Sequence, residues 1–107
     1  MKQNITQTPE RWAILKMADT YYKVFGAWSG SYLVGESWKL NSGVKKVEQD
    51  EDFYYFIGFS NSCYKCCKKS YGINTLFTRS VLNQIIERGN GLVELLDDVD
   101  DWSTVIE

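Results

Sequence analysis

Clustered and alternating apolar residues predict an antiparallel sheet in the first two thirds of the chain. Aromatic and β-branched residues are dense over Arg11–Ala18 and Tyr21–Trp28, on either side of a short break, and this arrangement predicts a β-hairpin. Two shorter strands are expected over Trp38–Asn41 and Val44–Glu48, because the turn signal "NSG" separates them.

The strongest strand signal is the run "DFYYFIGFS", which follows a charged turn. In an extended chain, alternate side chains point to opposite faces. One face then carries Phe53, Tyr55, Ile57 and Phe59, and the other carries Tyr54 and Phe56. The turn "NS" leads this strand back into a further strand over Ser62–Lys68.

Helical spacing of apolar residues appears only after this strand region. The segment Leu76–Arg88 places five apolar residues near one stripe and predicts a helix; they are Leu76, Val81, Leu82, Ile85 and Ile86. Asn74 or Thr75 is suited to the N-cap and Gly89 to the position after the C-cap. A last strand is expected over Leu92–Leu96, and Trp102–Ile106 is either one more strand or mobile.

These elements predict a single α+β domain over residues 1–107, with residues 1–10 and 97–107 as its mobile ends. Its core is a twisted antiparallel sheet, or a small partly open β-barrel, of about five to seven strands. One helix in the C-terminal half packs its apolar stripe against this sheet.

Charge is distributed unevenly along the chain. The net charge is −2, yet residues 92–107 hold six acids and no base, whereas the remainder holds twelve bases and eight acids. A weakly basic body with an acidic tail is not typical of a duplex DNA-binding protein. The polar start and the lack of a long apolar run predict a cytoplasmic protein that does not enter membranes.

Catalytic chemistry is hard to assign to this sequence. Histidine, the usual proton shuttle near neutral pH, is absent, and no phosphate-binding glycine loop or nucleophile elbow occurs. The acids crowd into turns and into the tail, where they are expected to be solvated. The chain is therefore predicted to be non-catalytic and to need no cofactor.

All three cysteines lie in the stretch "SCYKCCKKSYG". A structural zinc site needs four ligands, usually Cys and His, and this chain offers three thiols and no histidine. On a strand, Cys63 and Cys67 point one way and Cys66 the other. Reduced thiols without metal are therefore expected, with one reactive thiol or a metal site shared between chains as alternatives.

The run from Val24 to Gly72 resembles small proteins that bacterial phages and prophages carry. The similarity lies in "GAWSGSYLVGESWKLNSG", the acidic turn, the aromatic strand and the serine–tyrosine pattern before "YG". It implies an intracellular accessory protein that modulates a host factor or a defence system. The resemblance brings no functional residues with it.

The main functional hypothesis is binding to a host or phage protein through exposed aromatic and acidic side chains. Tryptophan and tyrosine are common anchors of interfaces. An acidic segment can compete for a basic groove, although acidic tails are usually just solvated. The candidate residues are Trp28, Tyr32, Trp38, Asp97, Asp98, Asp100, Asp101 and Trp102.

The alternative hypothesis is binding of single-stranded nucleic acid or a small ligand. Aromatic side chains beside lysines on neighbouring strands are typical of base-stacking surfaces. Alternating aromatic residues on a strand are, however, more often part of a core. The candidate residues for this alternative are Tyr54, Phe56, Tyr64, Lys65, Lys68 and Lys69.

Overall fold

Two antiparallel sheets form in the part of the chain that the computed structural model describes, residues 5–18, 20–29 and 37–106. The first sheet contains β1 (Arg11–Met17), β2 (Tyr21–Trp28), β3 (Ser37–Leu40) and β7 (Val93–Leu95), in the order β3-β2-β1-β7. The second contains β4 (Val44–Gln49), β5 (Phe53–Gly58) and β6 (Cys63–Cys67), in the order β4-β5-β6. Two helices complete the described fold, α1 (Leu76–Arg88) and α2 (Trp102–Val105).

The predicted hairpin is confirmed. β1 and β2 pair antiparallel from Arg11 opposite Ala27 to Met17 opposite Tyr21. Both faces of the pair are covered, which explains why apolar residues are dense rather than strictly alternating. Trp12, Ile14 and Val24 lie in the core between the two sheets, which we call the inter-sheet core; Ala13, Leu15, Phe25 and Ala27 lie in the core under α1.

The description as an α+β fold of antiparallel strands with a helix is confirmed, and the structure has two sheets where the sequence predicted one sheet or a partly open barrel. The strands divide into two sheets that stack on each other and do not close. The division falls at the β3–β4 turn, where β4 leaves the first sheet and pairs only with β5. None of the described helices is long and apolar enough to cross a membrane.

Trp12 is the centre of the inter-sheet core. Its ring centroid lies 4.8 Å from that of Tyr71, 5.4 Å from Phe56 and 6.3 Å from Trp102. The indole Nε1 donates a 2.7 Å hydrogen bond to the Cys67 carbonyl, so the only polar atom of this side chain is satisfied. One aromatic residue thus joins β1, both strands of the β5–β6 pair and the C-terminal segment.

The helix occurs over the residues predicted, with Thr75 as its N-cap. Thr78 and Leu82 are buried against the first sheet, and Val81, Ile85 and Ile86 pack at the margins. Leu76 was wrongly placed in the apolar stripe, since 89% of its surface is exposed.

The end of α1 corrects the expected role of Gly89. Gly89 keeps a helical φ of −70°, and Asn90 instead adopts the left-handed conformation, with φ 52°. Gly89 is required for another reason. A Cβ at this position would collide with the side chain of Val93, so the glycine allows α1 to approach β7 closely.

The C-terminal segment is a short helix, and the expectation of a strand over Trp102–Ile106 was wrong. Asp101 acts as the N-cap of α2 and accepts a 3.0 Å hydrogen bond from the Ser103 backbone N–H. Such a cap satisfies an amide that has no partner within the helix and favours the helical turn over an extended chain. Trp102 and Ile106 are buried in the inter-sheet core.

Candidate functional site

The chain between β7 and α2 displays carboxylates and apolar side chains together. We define the acidic surface as the five carboxylates Glu94, Asp97, Asp98, Asp100 and Asp101. Three apolar side chains interrupt or flank them and are also exposed, Leu92 by 63%, Leu95 by 43% and Val99 by 36%. Exposed aliphatic side chains among charges are a common composition of protein-binding surfaces.

The backbone of the acidic surface is held by hydrogen bonds to the core. The Leu96 N–H donates to the Ile14 carbonyl at 3.1 Å, which continues the pairing of β7 with β1. Further on, the Tyr54 hydroxyl donates to the Asp100 carbonyl at 3.2 Å. The buried ring of Trp102 then fastens the end of the segment. The acids are therefore presented from a structured segment.

The carboxylates fall into two groups by their hydrogen bonds. Asp98 accepts from the indole Nε1 of Trp102 at 3.3 Å, and Asp101 accepts from the Ser103 hydroxyl at 2.6 Å and from the Gln49 side chain at 2.8 Å. The Ser103 hydroxyl and backbone N–H hold the pKa of Asp101 below its usual value. Asp97 and Asp100, by contrast, accept no side-chain hydrogen bond within the described residues and face solvent.

No described lysine or arginine forms an ion pair with these five carboxylates. Lys16 lies opposite Glu94 in the β1–β7 pairing, and Arg79 lines a pocket together with Asp97 and Asp98. Lys68 lies near Asp101, and its charge helps to lower the pKa of that carboxylate. Its ammonium instead donates to the Gln49 side chain at 2.7 Å and lies 5.0 Å from the centre of the Tyr54 ring. The acidic surface thus forms no ion pair within the described residues, and its net negative charge attracts cations from outside.

The two groups of predicted partner-binding residues lie at opposite edges of the first sheet. Trp38 is on β3 and the acids follow β7, three strand spacings away, or roughly 14 Å. The Trp38 ring is partly exposed and stacks on Phe25 at 5.5 Å, while Trp28 is half-buried and donates to the Thr8 carbonyl. Tyr32 lies outside the described residues. The aromatic and acidic residues therefore do not form one site.

The structure places the predicted base-stacking rings in the interior. Tyr54, Phe56 and Tyr64 are buried in the inter-sheet core. The three predicted lysines lie in different environments. The Lys65 ammonium is 4.3 Å from the centre of the Phe53 ring, and the Lys68 ammonium donates to the Gln49 side chain. Lys69 is exposed. These rings offer no face to a base, which favours their interpretation as core.

The cysteine side chains alternate as expected for a strand. Cys66 pairs opposite Tyr54 and is buried in the inter-sheet core, whereas Cys63 and Cys67 pair opposite residues of the other face of β5. Burial raises the pKa of the Cys63 thiol and raises that of the Cys66 thiol well above its usual value. Within the described residues, no three potential ligands are grouped as a metal site needs.

Sequence reasoning found the acids but missed the apolar half of this surface. The sequence predicts a strand over Leu92–Leu96 and an acidic tail after it, and it identifies no exposed apolar residue in this run. Since β7 spans only three residues at a sheet edge, its flanks remain exposed. In comparisons with known proteins, no family model, no curated protein and no solved structure matches the chain.

Proposed function

We propose that the protein is a non-catalytic binding protein and that its acidic surface docks on a basic, partly apolar surface of another protein. The observation that carries this proposal is the exposure of Leu92, Leu95 and Val99 among carboxylates that form no ion pair within the described residues. In such interfaces the burial of apolar area provides most of the affinity. Complementary charge orients the two proteins and raises their association rate.

The structured backbone supports the same proposal. A segment already held by Tyr54, Tyr71 and Trp102 loses little conformational entropy on binding. The resemblance to phage-carried proteins indicates which kind of partner to expect. In that context the partner is a bacterial host factor or a component of a defence system, and binding takes place in the host cytoplasm.

Charge reversal on the acidic surface tests this proposal. Asp100→Lys changes an exposed carboxylate without a side-chain hydrogen bond in the described structure, and Glu87→Lys makes the same charge change on the exposed last turn of α1. Both variants and the parent are used to capture partners from a bacterial lysate, and the affinity for the captured protein is then measured at two salt concentrations.

We expect Asp100→Lys to weaken binding roughly fivefold or more at low salt, and Glu87→Lys to leave it unchanged. Leu95→Ser should weaken binding at both salt concentrations, because it removes apolar area instead of charge. Equal affinities for the two charge-reversal variants would contradict the proposal.

Nucleic-acid binding receives less support, because the rings proposed for stacking are buried. A fluorescence titration with short single-stranded oligonucleotides separates the two classes. Salt-sensitive binding that Lys65→Gln together with Lys69→Gln abolishes would favour the nucleic-acid alternative. A flat titration is the expected result.

A further inference from the structure

A shallow polar groove of about 280 Å³ lies where the β3–β4 turn meets the β5–β6 turn. Its lining includes Lys39, Asn41, Ser42, Ser60 and Ser62. The groove is at the Val44 end of β4, whereas Asp101 contacts Gln49 at the other end, roughly 17 Å away along the strand. It is therefore separate from the acidic surface.

Three serine hydroxyls converge in this groove. Ser42 Oγ lies 3.1 Å from Ser60 Oγ, and the Ser60 hydroxyl is 3.5 Å from that of Ser62. Gly58 lies beneath them, and a Cβ there would approach Ser62 Oγ to 2.9 Å and Ser42 Oγ to 3.0 Å. The absence of a side chain at residue 58 leaves room for the hydroxyls to meet.

Asn41 adds a buried donor that has no acceptor in the described structure. The side chain is 4% exposed, and its Oδ1 accepts from the Val24 N–H at 2.9 Å and the Gly43 N–H at 3.2 Å. These two bonds fix which end of the amide carries oxygen. Nδ2 is closed to solvent and is left without a partner among the described residues, an uncommon state for a buried polar group. Its N–H groups therefore add positive potential beside the groove and make no direct contact there.

The charge of the groove is positive. Lys39 belongs to its lining, which includes no aspartate or glutamate among the described residues. Lys45 adds a second cation nearby, since its ammonium donates at 2.7 Å to Asn61, between Ser60 and Ser62. Neutral sugars are usually held by acceptors as well as donors, and carboxylate acceptors are lacking here. Hydroxyl and ammonium donors together are suited to an oxyanion.

We propose that this groove binds a phosphate group, either as free phosphate or as the monoester of a small molecule. The serine hydroxyls donate to its oxygens, and Lys39 supplies the charge. Lysine binds phosphate as a point charge and does not require the bidentate geometry of arginine. This proposal is independent of the proposed protein-binding function.

The test is a titration of the ¹⁵N-labelled protein, followed by NMR at constant ionic strength, with inorganic phosphate and with glycerol phosphate as separate probes. We expect saturable shifts of the Asn41 side-chain amide and of the Gly58 and Ser60 backbone amides. Tighter binding of glycerol phosphate would assign the site to a monoester, and binding of inorganic phosphate alone would assign it to the free ion.

Two exposed lysines give the matched comparison. Lys39→Gln should weaken phosphate binding about fivefold, whereas Lys69→Gln, which removes the same charge after β6, should leave it unchanged. Ser42→Ala should weaken binding with the protein still folded, as its spectrum would show. Shifts that never saturate, or equal weakening by the two lysine variants, would overturn the proposal.

Discussion

The hydroxyl of Tyr71 donates a 2.6 Å hydrogen bond to the carbonyl of Leu96. The same oxygen accepts a 3.0 Å hydrogen bond from the backbone N–H of Ile14. On this edge of β1, regular pairing with β7 begins only at Leu15, and an isolated bridge joins Trp12 to Tyr71. The phenol therefore fills the gap in the ladder and ties the start of the acidic surface to the core.

Removal of this hydroxyl should destabilise the fold. Tyr71→Phe keeps the ring that packs on Trp12 and Trp102, but it leaves the Ile14 N–H and the Leu96 carbonyl without this partner. We expect a loss of about 1–3 kcal/mol in the free energy of unfolding, measured by urea denaturation. Tyr21→Phe is the control, because its hydroxyl makes no hydrogen bond in the described structure. Equal losses for both variants would show that the bridge contributes nothing specific.

The same hydroxyl should make stability depend on pH in the alkaline range. Burial, opposed in part by the Ile14 hydrogen bond and reinforced by the charges of Asp98 and Asp97, raises the pKa of Tyr71 from 10.0 to about 12. The folded state thus holds the proton more tightly than the unfolded state. This contribution is fully present below pH 10 and is lost as the pH rises to about 12.

The measurement is the urea midpoint of the parent and of Tyr71→Phe at successive alkaline pH values. The parent should lose up to about 1.4 kcal/mol per pH unit relative to the variant across this window. Parallel curves would contradict the raised pKa. Comparison with the variant removes the shared effects of other tyrosines and of lysine deprotonation.

The strands and the long helix could be predicted because each has its own local signal. Period-two alternation placed Tyr54 and Phe56 on one face of β5, and helical spacing placed Leu82 in the core. Two sheets could not be distinguished from one, because that division depends on which strand β4 chooses as its neighbour. No residue of the turn "NSG" determines whether β4 pairs with β3 or with β5. Either neighbour would provide hydrogen-bond partners for the same backbone N–H and C=O groups of β4.

The candidate site was predictable in its charge but not in its shape. The acidic residues can be identified directly from the sequence. The burial of Trp102, however, depends on contacts with Trp12 and Tyr71, which are distant along the chain. The polar groove depends in the same way on the β3–β4 and β5–β6 turns, which are distant in sequence and meet only in the folded protein. The turn residues Ser42 and Ser60 have no sequence spacing that marks a binding site.

Leucine substitutions test the packing of α1. Leu82 is 4% exposed and lies in the core under α1, so Leu82→Ala should cost about 2–5 kcal/mol of unfolding free energy. Leu76→Ala is the matched control on the same helix, since Leu76 is almost fully exposed, and it should change stability by less than about 0.5 kcal/mol. Thermal or urea unfolding measures both variants. A similar loss at both positions would mean that the helix docks through another face.

The thiols should react in the order of their exposure. Cys67 is half-buried, whereas Cys63 and Cys66 are buried and have raised pKa values, so both hold little thiolate near neutral pH. A short pulse of iodoacetamide followed by mass spectrometry should modify Cys67 first and Cys66 last. In urea all three should react alike. Fast modification of Cys66 in the native protein would contradict its place in the core.

The buried side chain of Trp102 and the carboxylates of the acidic surface should contribute differently to stability and to binding. Trp102 is fully buried and touches Trp12 and Tyr71, so Trp102→Ala should cost about 3–5 kcal/mol of unfolding free energy. The acids should behave differently. Replacement of Asp97, Asp98, Asp100 and Asp101 by Asn together keeps the side-chain oxygens that accept from Trp102 and Ser103.

The fourfold variant should therefore unfold at about the same urea concentration as the parent at high and at low salt. Two effects oppose each other: the substitution removes the mutual repulsion of the four carboxylates, and it also removes the charge of Asp101, whose hydrogen bonds to Ser103 lower its pKa. Its binding to the captured partner should be weaker than that of the parent and less dependent on salt. A marked loss of stability would instead mean that the carboxylates pair within the fold. Unchanged binding would mean that this surface takes no part in recognition.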